Sequence, residues 1–458
     1  MGIGILILAF NTNHNHINIK PDITYFKKVF IKYINFYIDH VQQNFISHAN
    51  FGERASCIVN KLGDLLGNIM LVVKLPNVHK NDASKVGYMK WDANIEHHIV
   101  KSAIIDINNV IVDKYYGDYA HVHNTCNITH SIKTLNNINT QWQPHVEELT
   151  LYIPILFNLS APLPLCVISD AVRISIEFEN IEKCCKTAPT HYVTVSDDIV
   201  LFTQFEYIYS GNKYGQFIYF DNVTRTLYYN KLIGSFATAD VIYTTNDTYS
   251  VTTTIAEQTY TPPYDTDDIA IADSYLINDY YFMEDIEVTK LKSKELTYII
   301  HTVSTSNSHT SNGNQLVKID THSPITRIYW KYSFDGIDDY IFNNILTKYN
   351  DVFTNVQLYI DGNIFNIIDD INFSSYVEPF YNKVLVSNNM GVMCFNLLGN
   401  DSQPSGIINL EHTRDAKLLF ITKKPNTVLD NGSVILKNIV FVKQYRYLTI
   451  NNDKITIV

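Results

Sequence analysis

Short segments in which apolar and polar residues alternate are the feature that most constrains the fold of this chain. Residues 172–179 (VRISIEFE) place an apolar side chain at every second position, and residues 328–334 (IYWKYSF) repeat the pattern. A period of two puts one set of side chains on each face of a strand, so each segment predicts a half-buried β-strand. Residues 69–75 form a nearly continuous apolar run that also suits a strand. Convincing helical stretches are few and short.

Turn residues separate several of these segments at hairpin spacing. Asn108-Asn109 lies between SAIIDI and VIVDKY, and Asp361-Gly362 lies between VQLYI and NIFNI. Asn, Asp and Gly tolerate the positive φ angles that two-residue hairpin turns require. We therefore predict a β-hairpin at each position, and a last strand pair from residues 447–450 and 454–458 around an Asn-Asn-Asp turn.

The length of 458 residues exceeds what one hydrophobic core usually holds, so two large domains are expected. The chain has 32 Tyr and 23 Phe against 3 Trp, and aromatic side chains suit a pleated surface. Many short strands, frequent turns and little helix indicate an all-β chain built of sandwiches or barrels rather than an α/β fold.

Two polar segments interrupt the strand pattern. Residues 259–268 (TYTPPYDTDD) combine two prolines, which cannot donate to a strand ladder, with a carboxylate cluster, and predict a domain boundary. Residues 304–314 (STSNSHTSNGN) predict a long exposed loop in the second half. The predicted division is an apolar arm at residues 1–20, a first domain at 21–262 and a second at 263–458. Within the first, residues 23–41 favour strand over helix.

The first ten residues, MGIGILILAF, are apolar but carry no basic leader and no small-residue cleavage site. They are about half the length that a bilayer core needs. Gly2 suits myristoylation, but Leu6 stands where that motif has Ser or Thr. We interpret this segment as an apolar arm that seeks a partner surface.

The formal net charge is −11, and no run of Lys and Arg is long enough to neutralise a row of phosphates, which argues against direct nucleic-acid binding. The cysteines are scattered and form no CxxC pair, so neither a zinc site nor a disulfide scaffold is expected, and a reducing compartment fits. They are Cys57, Cys126, Cys166, Cys184, Cys185 and Cys394.

The sequence offers little catalytic chemistry. GxSxG, HExxH, P-loop and GxGxxG motifs are absent, so no catalytic, cofactor-binding or metal residue is assigned. His121 and His123 would share one face of a strand, yet Asp118 alone does not complete a ligand set, and two ordinary histidines explain them better. His97-His98 would point to opposite faces if extended, and His14 and His16 lie in the polar part of the arm.

Carboxylate pairs of the kind a glycosidase needs are explained by solvated faces and loops. They are Glu147/Glu148, Glu177/Glu179 and Asp267/Asp268. The Asn-x-Ser/Thr sequons are numerous in a chain rich in Asn and Thr, and we treat them as unused more often than used, because no signal peptide is seen. They begin at Asn127, Asn158, Asn222, Asn246, Asn372, Asn400 and Asn431.

Several blocks, in order along nearly the whole chain, resemble the major capsid proteins of the nucleocytoplasmic large DNA viruses. The most specific is residues 21–36 (PDITYFKKVFIKYINF), which follows the apolar start. HHIVKSAIIDINNVIVDKYYGDY, at residues 97–119, is similar to the family's strand pair, and ADSYLINDYYFMEDIEVTKLKSKELTYII resembles the opening of its second domain. SQPSGIINLEHTRDAKLLF, at residues 402–420, resembles its Gln-Pro-Ser-Gly block.

This resemblance implies two consecutive eight-stranded antiparallel jelly-roll sandwiches, a double jelly roll with long loops and short helices. It implies a structural virion protein without enzymatic activity or cofactor, whose homotrimers form pseudo-hexameric capsomers of an icosahedral shell. The expected partners are further copies, neighbouring capsomers, minor capsid proteins and an inner membrane layer reached by the arm. The shell would assemble in the host cytoplasm.

Some positions depart from the family pattern. FNLSAPLP, at residues 157–164, lacks the usual Cys and Arg-Asn-Pro, and Glu411-His412 interrupt the last block. These departures leave open a paralogous minor capsid or scaffold protein. A carbohydrate-binding or carbohydrate-cleaving β-sandwich is the alternative from another class, and it would need a signal peptide or an exposed aromatic platform.

Overall fold

The computed structural model shows a mostly antiparallel β protein with a few short helices. The residues it describes are 33–76, 87–92, 94–126, 148–155, 157, 161–197, 200–244, 250–261, 269–310, 314–320, 323–334, 352–366, 369–381, 389–397, 404–423, 436–451 and 454–457.

The strands of these residues are numbered in chain order. They are β1 (Phe36–Asn44), β2 (Arg54–Ile58), β3 (Leu65–Leu75), β4 (Tyr88–Trp91), β5 (Val100–Ile107), β6 (Val110–Tyr116), β7 (Leu149–Ile155), β8 (Val172–Phe178), β9 (Cys185–Ala188), β10 (His191–Val195), β11 (Tyr207–Ser210), β12 (Lys213–Asp221), β13 (Thr226–Ile233), β14 (Val241–Thr244), β15 (Ser250–Thr259), β16 (Asp273–Met283), β17 (Leu296–Thr310), β18 (Gln315–Lys318), β19 (Ile325–Phe334), β20 (Phe353–Ile360), β21 (Asn363–Ile364), β22 (Met390–Cys394), β23 (Ala416–Thr422), β24 (Leu436–Asn451) and β25 (Lys454–Ile457).

The helices of the described residues are short. They are α1 (Ile95–His98), α2 (Gly117–Cys126), α3 (Ile181–Cys184), α4 (Asp285–Lys292) and α5 (Glu378–Tyr381), with a π-helical turn at Phe373–Val377. None of these described helices is long and apolar enough to cross a bilayer.

Eight strands form the first sandwich as two four-stranded sheets. One sheet has the order β1-β16-β3-β7, and the other has the order β2-β8-β5-β6. The alternation predicted for residues 172–178 is visible in β8, where Val172, Ile174, Ile176 and Phe178 are buried in the core while Arg173 is exposed. The inner faces of the two sheets together form the largest core of the molecule.

A closed six-stranded barrel, with the order β10-β13-β12-β11-β14-β15, is inserted between β9 and β16. It has its own apolar interior, which includes Val193, Phe217, Leu227 and Tyr229. Closure removes exposed sheet edges, so a barrel of this size is stable as an insertion.

The second sandwich also has two four-stranded layers. The order of one is β17-β24-β19-β22, with β25 added beside β24, and the order of the other is β18-β23-β20-β21. Trp330 is fully buried at its centre and meets the ring of Phe420 at 5.8 Å. The prediction of two consecutive eight-stranded antiparallel jelly rolls is confirmed.

The predicted hairpins are confirmed at both positions. Asn108 and Asn109 have φ angles of 50° and 65°, and Asp361 and Gly362 have angles of 50° and 85°. Two consecutive positive φ values define the turn that matches strand twist, and these residue types adopt it at low cost. The last strand pair is also present, as β24 and β25.

The loop predicted at residues 304–314 is wrong for its first part. β17 continues to Thr310 and pairs with β24 along its whole length. The backbone hydrogen bonds of the ladder do not depend on side-chain polarity, so a Ser- and Thr-rich segment extends as a strand when a long partner lies beside it.

The strand pairing also bears on the predicted division at residues 262–263. β16 begins after that point, yet it pairs with β1 on one side and β3 on the other, within the first sandwich. Residues 262–268, which are most of the predicted boundary segment at 259–268, and the arm at residues 1–20 lie outside the described residues.

Candidate functional site

The two sandwiches meet in an apolar contact built around α2. Tyr119 of this helix is 4% exposed, and its ring lies 6.0 Å from Tyr329 and 5.6 Å from Phe441, both of the second sandwich. Val122, one helical turn further on, belongs to the same buried cluster. Aromatic pairs of this kind add to the burial energy of their surfaces.

A second contact joins the ends of β17 and β24 to the first core. Ile300, Leu448 and Ile450 are fully buried in the cluster that fills the first sandwich. The two sandwiches are thus joined by two apolar contacts, one at α2 and one at these strand ends, and together they oppose hinge motion between the sandwiches.

Charged groups lie beside this contact. His98 Nδ1 is 2.6 Å from Asp92 Oδ2. Burial acts to raise the pKa of Asp92, but the hydrogen bond and the charge of His98 hold that pKa below its usual value. Burial likewise acts to raise the pKa of Asp118, and the positive charges of Lys183 and Lys331 outweigh it and lower that pKa. Lys331 belongs to β19, so this carboxylate is stabilised from across the junction.

The sequence interpretation of His121 and His123 as neighbours on a strand is wrong, because both lie in α2. Residues two apart on a helix point in different directions, so these two side chains do not share a face. His97 and His98 are also helical, in α1. Among the described residues, no group of three or more His, Cys, Asp or Glu side chains is arranged to hold a metal ion.

Two of the candidate carboxylates, Glu177 and Glu179, have structural partners, and Glu148 is exposed. Glu177 accepts from Lys101 Nζ at 2.6 Å, and Glu179 accepts from Lys183 Nζ at 3.1 Å. Glu147, Asp267, Asp268, His14 and His16 lie outside the described residues. Of the sequons, Asn222 and Asn372 are described and exposed, and the other asparagines lie outside the described part.

Buried thiols are equally poor catalytic candidates. Burial raises the pKa of the Cys57 thiol to about 11, and it raises that of Cys185 to about 12. The thiolate is the reactive form, so these side chains are inert near neutral pH.

An apolar groove opens at the start of β1. Tyr33, 84% exposed, lines it together with Ile34, Phe36, Leu65, Tyr281 and Met283. β1 pairs with β16 along one edge, and no described strand pairs along the other edge. We call this surface the β1 groove. An exposed apolar surface beside an open strand edge is suited to binding another protein segment.

A second apolar surface lies on the π-helical turn and α5. Its exposed side chains are Tyr376, Val377, Phe380 and Tyr381, and Phe380 is 78% exposed. We call it the turn patch. Glu378 lies at its centre, where burial raises the pKa of the carboxyl to about 7, although the Cys394 backbone N–H donates to it and the Arg327 charge opposes the rise.

The groove and the patch are exposed apolar surfaces suited to contact with another protein surface. The groove is assembled from segments distant in sequence, such as β1 with β16, so sequence patterns alone did not reveal it. The sequence feature that pointed to the groove and the patch was the aromatic content of residues 33–38 and 376–381.

Two solved capsid proteins have the same architecture. The chain superposes on VP54 of PBCV-1 with a TM-score of 0.63 at 15% identity, over 95% of this chain and 99% of that one. The Faustovirus major capsid protein gives 0.61 at 11% identity, over 94% and 93%. At these identities the likeness shows the fold, which is the double jelly roll.

Sequence comparison is more specific. Residues 24–221 match the family model for the N-terminus of major capsid proteins. "Probable capsid protein 4" of Acanthamoeba polyphaga mimivirus is 26% identical over 373 residues, which are 73% of this chain and 72% of that protein. The chain is similar to the major capsid proteins of the nucleocytoplasmic large DNA viruses. These relatives and the matched fold are structural rather than enzymatic.

Other relatives align over shorter stretches. The major capsid protein of Phaeocystis pouchetii virus is 24% identical over 213 residues, and the match covers 39% of this chain and 41% of that protein. The likeness to this relative is therefore confined to part of both chains.

Proposed function

We propose that this protein is a major capsid protein that forms homotrimers, whose outline is pseudo-hexagonal and which tile an icosahedral virion shell. The double jelly roll along 95% of the chain carries the proposal. Each chain supplies two sandwiches of similar size, so three chains supply six similar wedges. A heterologous contact repeated by a threefold rotation closes into such a ring.

The apolar junction supports the same proposal. A capsomer whose two wedges moved freely would present no fixed outline to its neighbours. Tyr119 packed against Tyr329 and Phe441 holds the wedges in one orientation. Obligate contacts between copies should each bury more than about 2,000 Å², and weaker contacts between capsomers would act collectively.

We further propose that the arm at residues 1–20 binds minor capsid proteins or an inner membrane layer. The β1 groove supports this, because the chain enters β1 beside exposed Tyr33 and Phe36. The protein would reside in the virion shell after assembly in the host cytoplasm. A net charge of −11 disfavours a direct contact with the genome.

The domain division is a proposal as well. We keep an arm and two jelly rolls, and we infer that the first jelly roll ends after β16, since that strand pairs with β1 and β3. α4 would then connect the two domains.

A minor capsid protein or an assembly scaffold with the same fold is the second candidate. The departures at residues 157–164 and 411–412 favour it. Fold alone does not separate these roles. Mass spectrometry of purified virions does, because a scaffold is absent from mature particles while a major capsid protein is their most abundant component.

The mass of the purified recombinant protein in light scattering, with electron microscopy of the same sample, tests the capsomer proposal. We expect a particle of three chains with a hexagonal outline. A clean monomer at micromolar concentration would overturn it.

A further inference from the structure

Four tyrosines form a cluster on the outer face of the inserted barrel. Tyr192 of β10 pairs with Tyr228 of β13, which lies beside Tyr219 of β12. The ring centroids of Tyr192 and Tyr228 are 5.8 Å apart, and those of Tyr219 and Tyr228 are 6.2 Å apart. Tyr260 stands edge-on to this row, 5.1 Å from Tyr228 at an interplanar angle of 75°. We call the four rings the tyrosine platform.

The platform is not part of the barrel core. The neighbours of these residues along the strands, Val193, Leu227 and Tyr229, point inward and fill the interior. Tyr219 is 41% exposed, and the other three rings are half-buried. The rings of the row are tilted by 39° and 34°, so they do not cover one another in a parallel stack. Exposed aromatic surface that the fold does not use indicates a binding site.

Polar groups frame the rings. The Tyr192 hydroxyl donates to Oε1 of exposed Gln258. Asp221 accepts from Thr224 Oγ1 at 2.7 Å and from the Val223 backbone N–H at 2.9 Å. Burial, together with Tyr260 and Asp221, raises the pKa of Tyr228, which keeps its hydroxyl neutral and able both to donate and to accept.

This combination selects one class of ligand. A sugar ring has apolar C–H faces and hydroxyl edges, and the spacing of the row is close to the length of one pyranose unit. The Asp221 carboxylate and the net charge of −11 disfavour phosphate-rich chains. The Gln258 amide, the Asp221 carboxylate and the tyrosine hydroxyls disfavour lipid tails or a dry protein interface.

We propose that the tyrosine platform binds a neutral oligosaccharide, with Tyr192, Tyr219 and Tyr228 as the floor, Tyr260 as a wall, and Gln258 and Asp221 as hydrogen-bonding partners of the sugar hydroxyls. This activity goes beyond the shell function and does not depend on it. It gives the barrel insertion, which the sandwiches do not require for closure, a role in attaching to a glycan-bearing surface.

The barrel supplies a matched control. A second cross-strand row joins Tyr243, Tyr209 and Tyr214, with centroid distances of 5.8 and 6.0 Å. Tyr243 is 38% exposed, close to the value for Tyr219, but Tyr214 at the other end of its row packs against the second sandwich. Tyr243→Ala therefore removes an equally exposed ring from the same barrel without touching the platform.

The test is isothermal titration of the full-length protein with cellohexaose, laminarihexaose, mannohexaose and chitohexaose. We expect at least one to bind, with affinity weakened about fivefold or more by Tyr219→Ala. Tyr219→Phe should keep most of the affinity because it keeps the ring, and Tyr243→Ala should leave it unchanged. Tyr228→Ala should also weaken sugar binding and is a second test of the platform. If Tyr228→Ala fails to fold, Tyr219→Ala alone decides the outcome.

Failure of all four sugars to bind would overturn the proposal, as would equal weakening by Tyr243→Ala. Loss of binding to another virion protein on Tyr219→Ala, with no sugar bound, would overturn it in favour of protein docking. Light scattering of the same samples separates the two proposals. A monomer that binds sugar contradicts only the capsomer, and a trimer that binds none contradicts only the platform.

Discussion

Gly391 lies directly opposite Trp330 on neighbouring strands of the second sandwich, and a Cβ atom at Gly391 would lie 2.3 Å from Cε2 of the indole. The ring of Trp330 thus occupies the space that a side chain at position 391 would need. Phe420 packs against another part of the same ring, 5.8 Å between centroids, so the indole has little freedom to move aside.

We predict that Gly391→Ala destabilises the protein by about 1 to 3 kcal/mol, because an overpacked core must shift. Gly211→Ala is the control, since a Cβ atom there meets nothing within 4 Å and only its positive φ of 60° carries a cost, about 1 to 2 kcal/mol. Urea unfolding followed by Trp fluorescence measures both. A smaller loss of unfolding free energy for Gly391→Ala than for Gly211→Ala would show that the Trp330 ring moves aside at little cost.

Hairpin turns and sandwich strands could be predicted because their causes are local. Asp361-Gly362 adopts positive φ by its own chemistry, and the alternation in residues 172–178 needs only one apolar face. β17 was missed beyond residue 304 because its partner, β24, lies more than a hundred residues away. The tyrosine platform could not be predicted either, since strand register brings Tyr192, Tyr219 and Tyr228 together.

The junction between the sandwiches should depend on Tyr119. Tyr119→Ala removes a buried ring that contacts Tyr329 and Phe441, and we expect a loss of about 3 kcal/mol. Because the ring couples two domains, calorimetry should resolve two unfolding transitions where the parent shows one. Tyr243→Ala, which removes an exposed ring, should keep a single transition. A single unfolding transition in Tyr119→Ala would show that the contact made by Ile300, Leu448 and Ile450 is enough to couple the two sandwiches.

Glu378 should make stability depend on pH. Burial raises the pKa of its carboxyl from 4.5 to about 7, so the folded state binds the proton more tightly than the unfolded chain does. The stabilisation is complete below pH 4.5 and is lost as the pH rises towards 7, by at most about 3 kcal/mol. Glu378→Gln keeps an acceptor for the Cys394 N–H and cannot ionise.

The measurement for Glu378 is the unfolding free energy at several values of pH between 4.5 and 8. We expect the parent to lose stability relative to Glu378→Gln as the pH rises through 7. Parallel profiles for the two proteins would mean that the Arg327 charge compensates for burial. The stability of the turn patch should show the same pH dependence, because Phe380 and Tyr381 lie on the helix that Glu378 begins.

The arm should be needed for incorporation and not for folding. The cores of both sandwiches are built from described residues that follow the arm, and Tyr33 and Phe36 of the β1 groove are exposed. Deleting residues 2–18 should therefore leave soluble trimers of unchanged thermal stability. In cells that express truncated and full-length chains together, the truncated form should be depleted in purified virions, as quantified by mass spectrometry. Phe380→Ser is the control: it removes an exposed apolar side chain from the turn patch and leaves the arm intact. It therefore distinguishes the loss of an apolar contact surface from the loss of the arm. Equal incorporation of both chains would show that assembly does not need the arm. The β1 groove would then be interpreted as a contact between capsid protein copies.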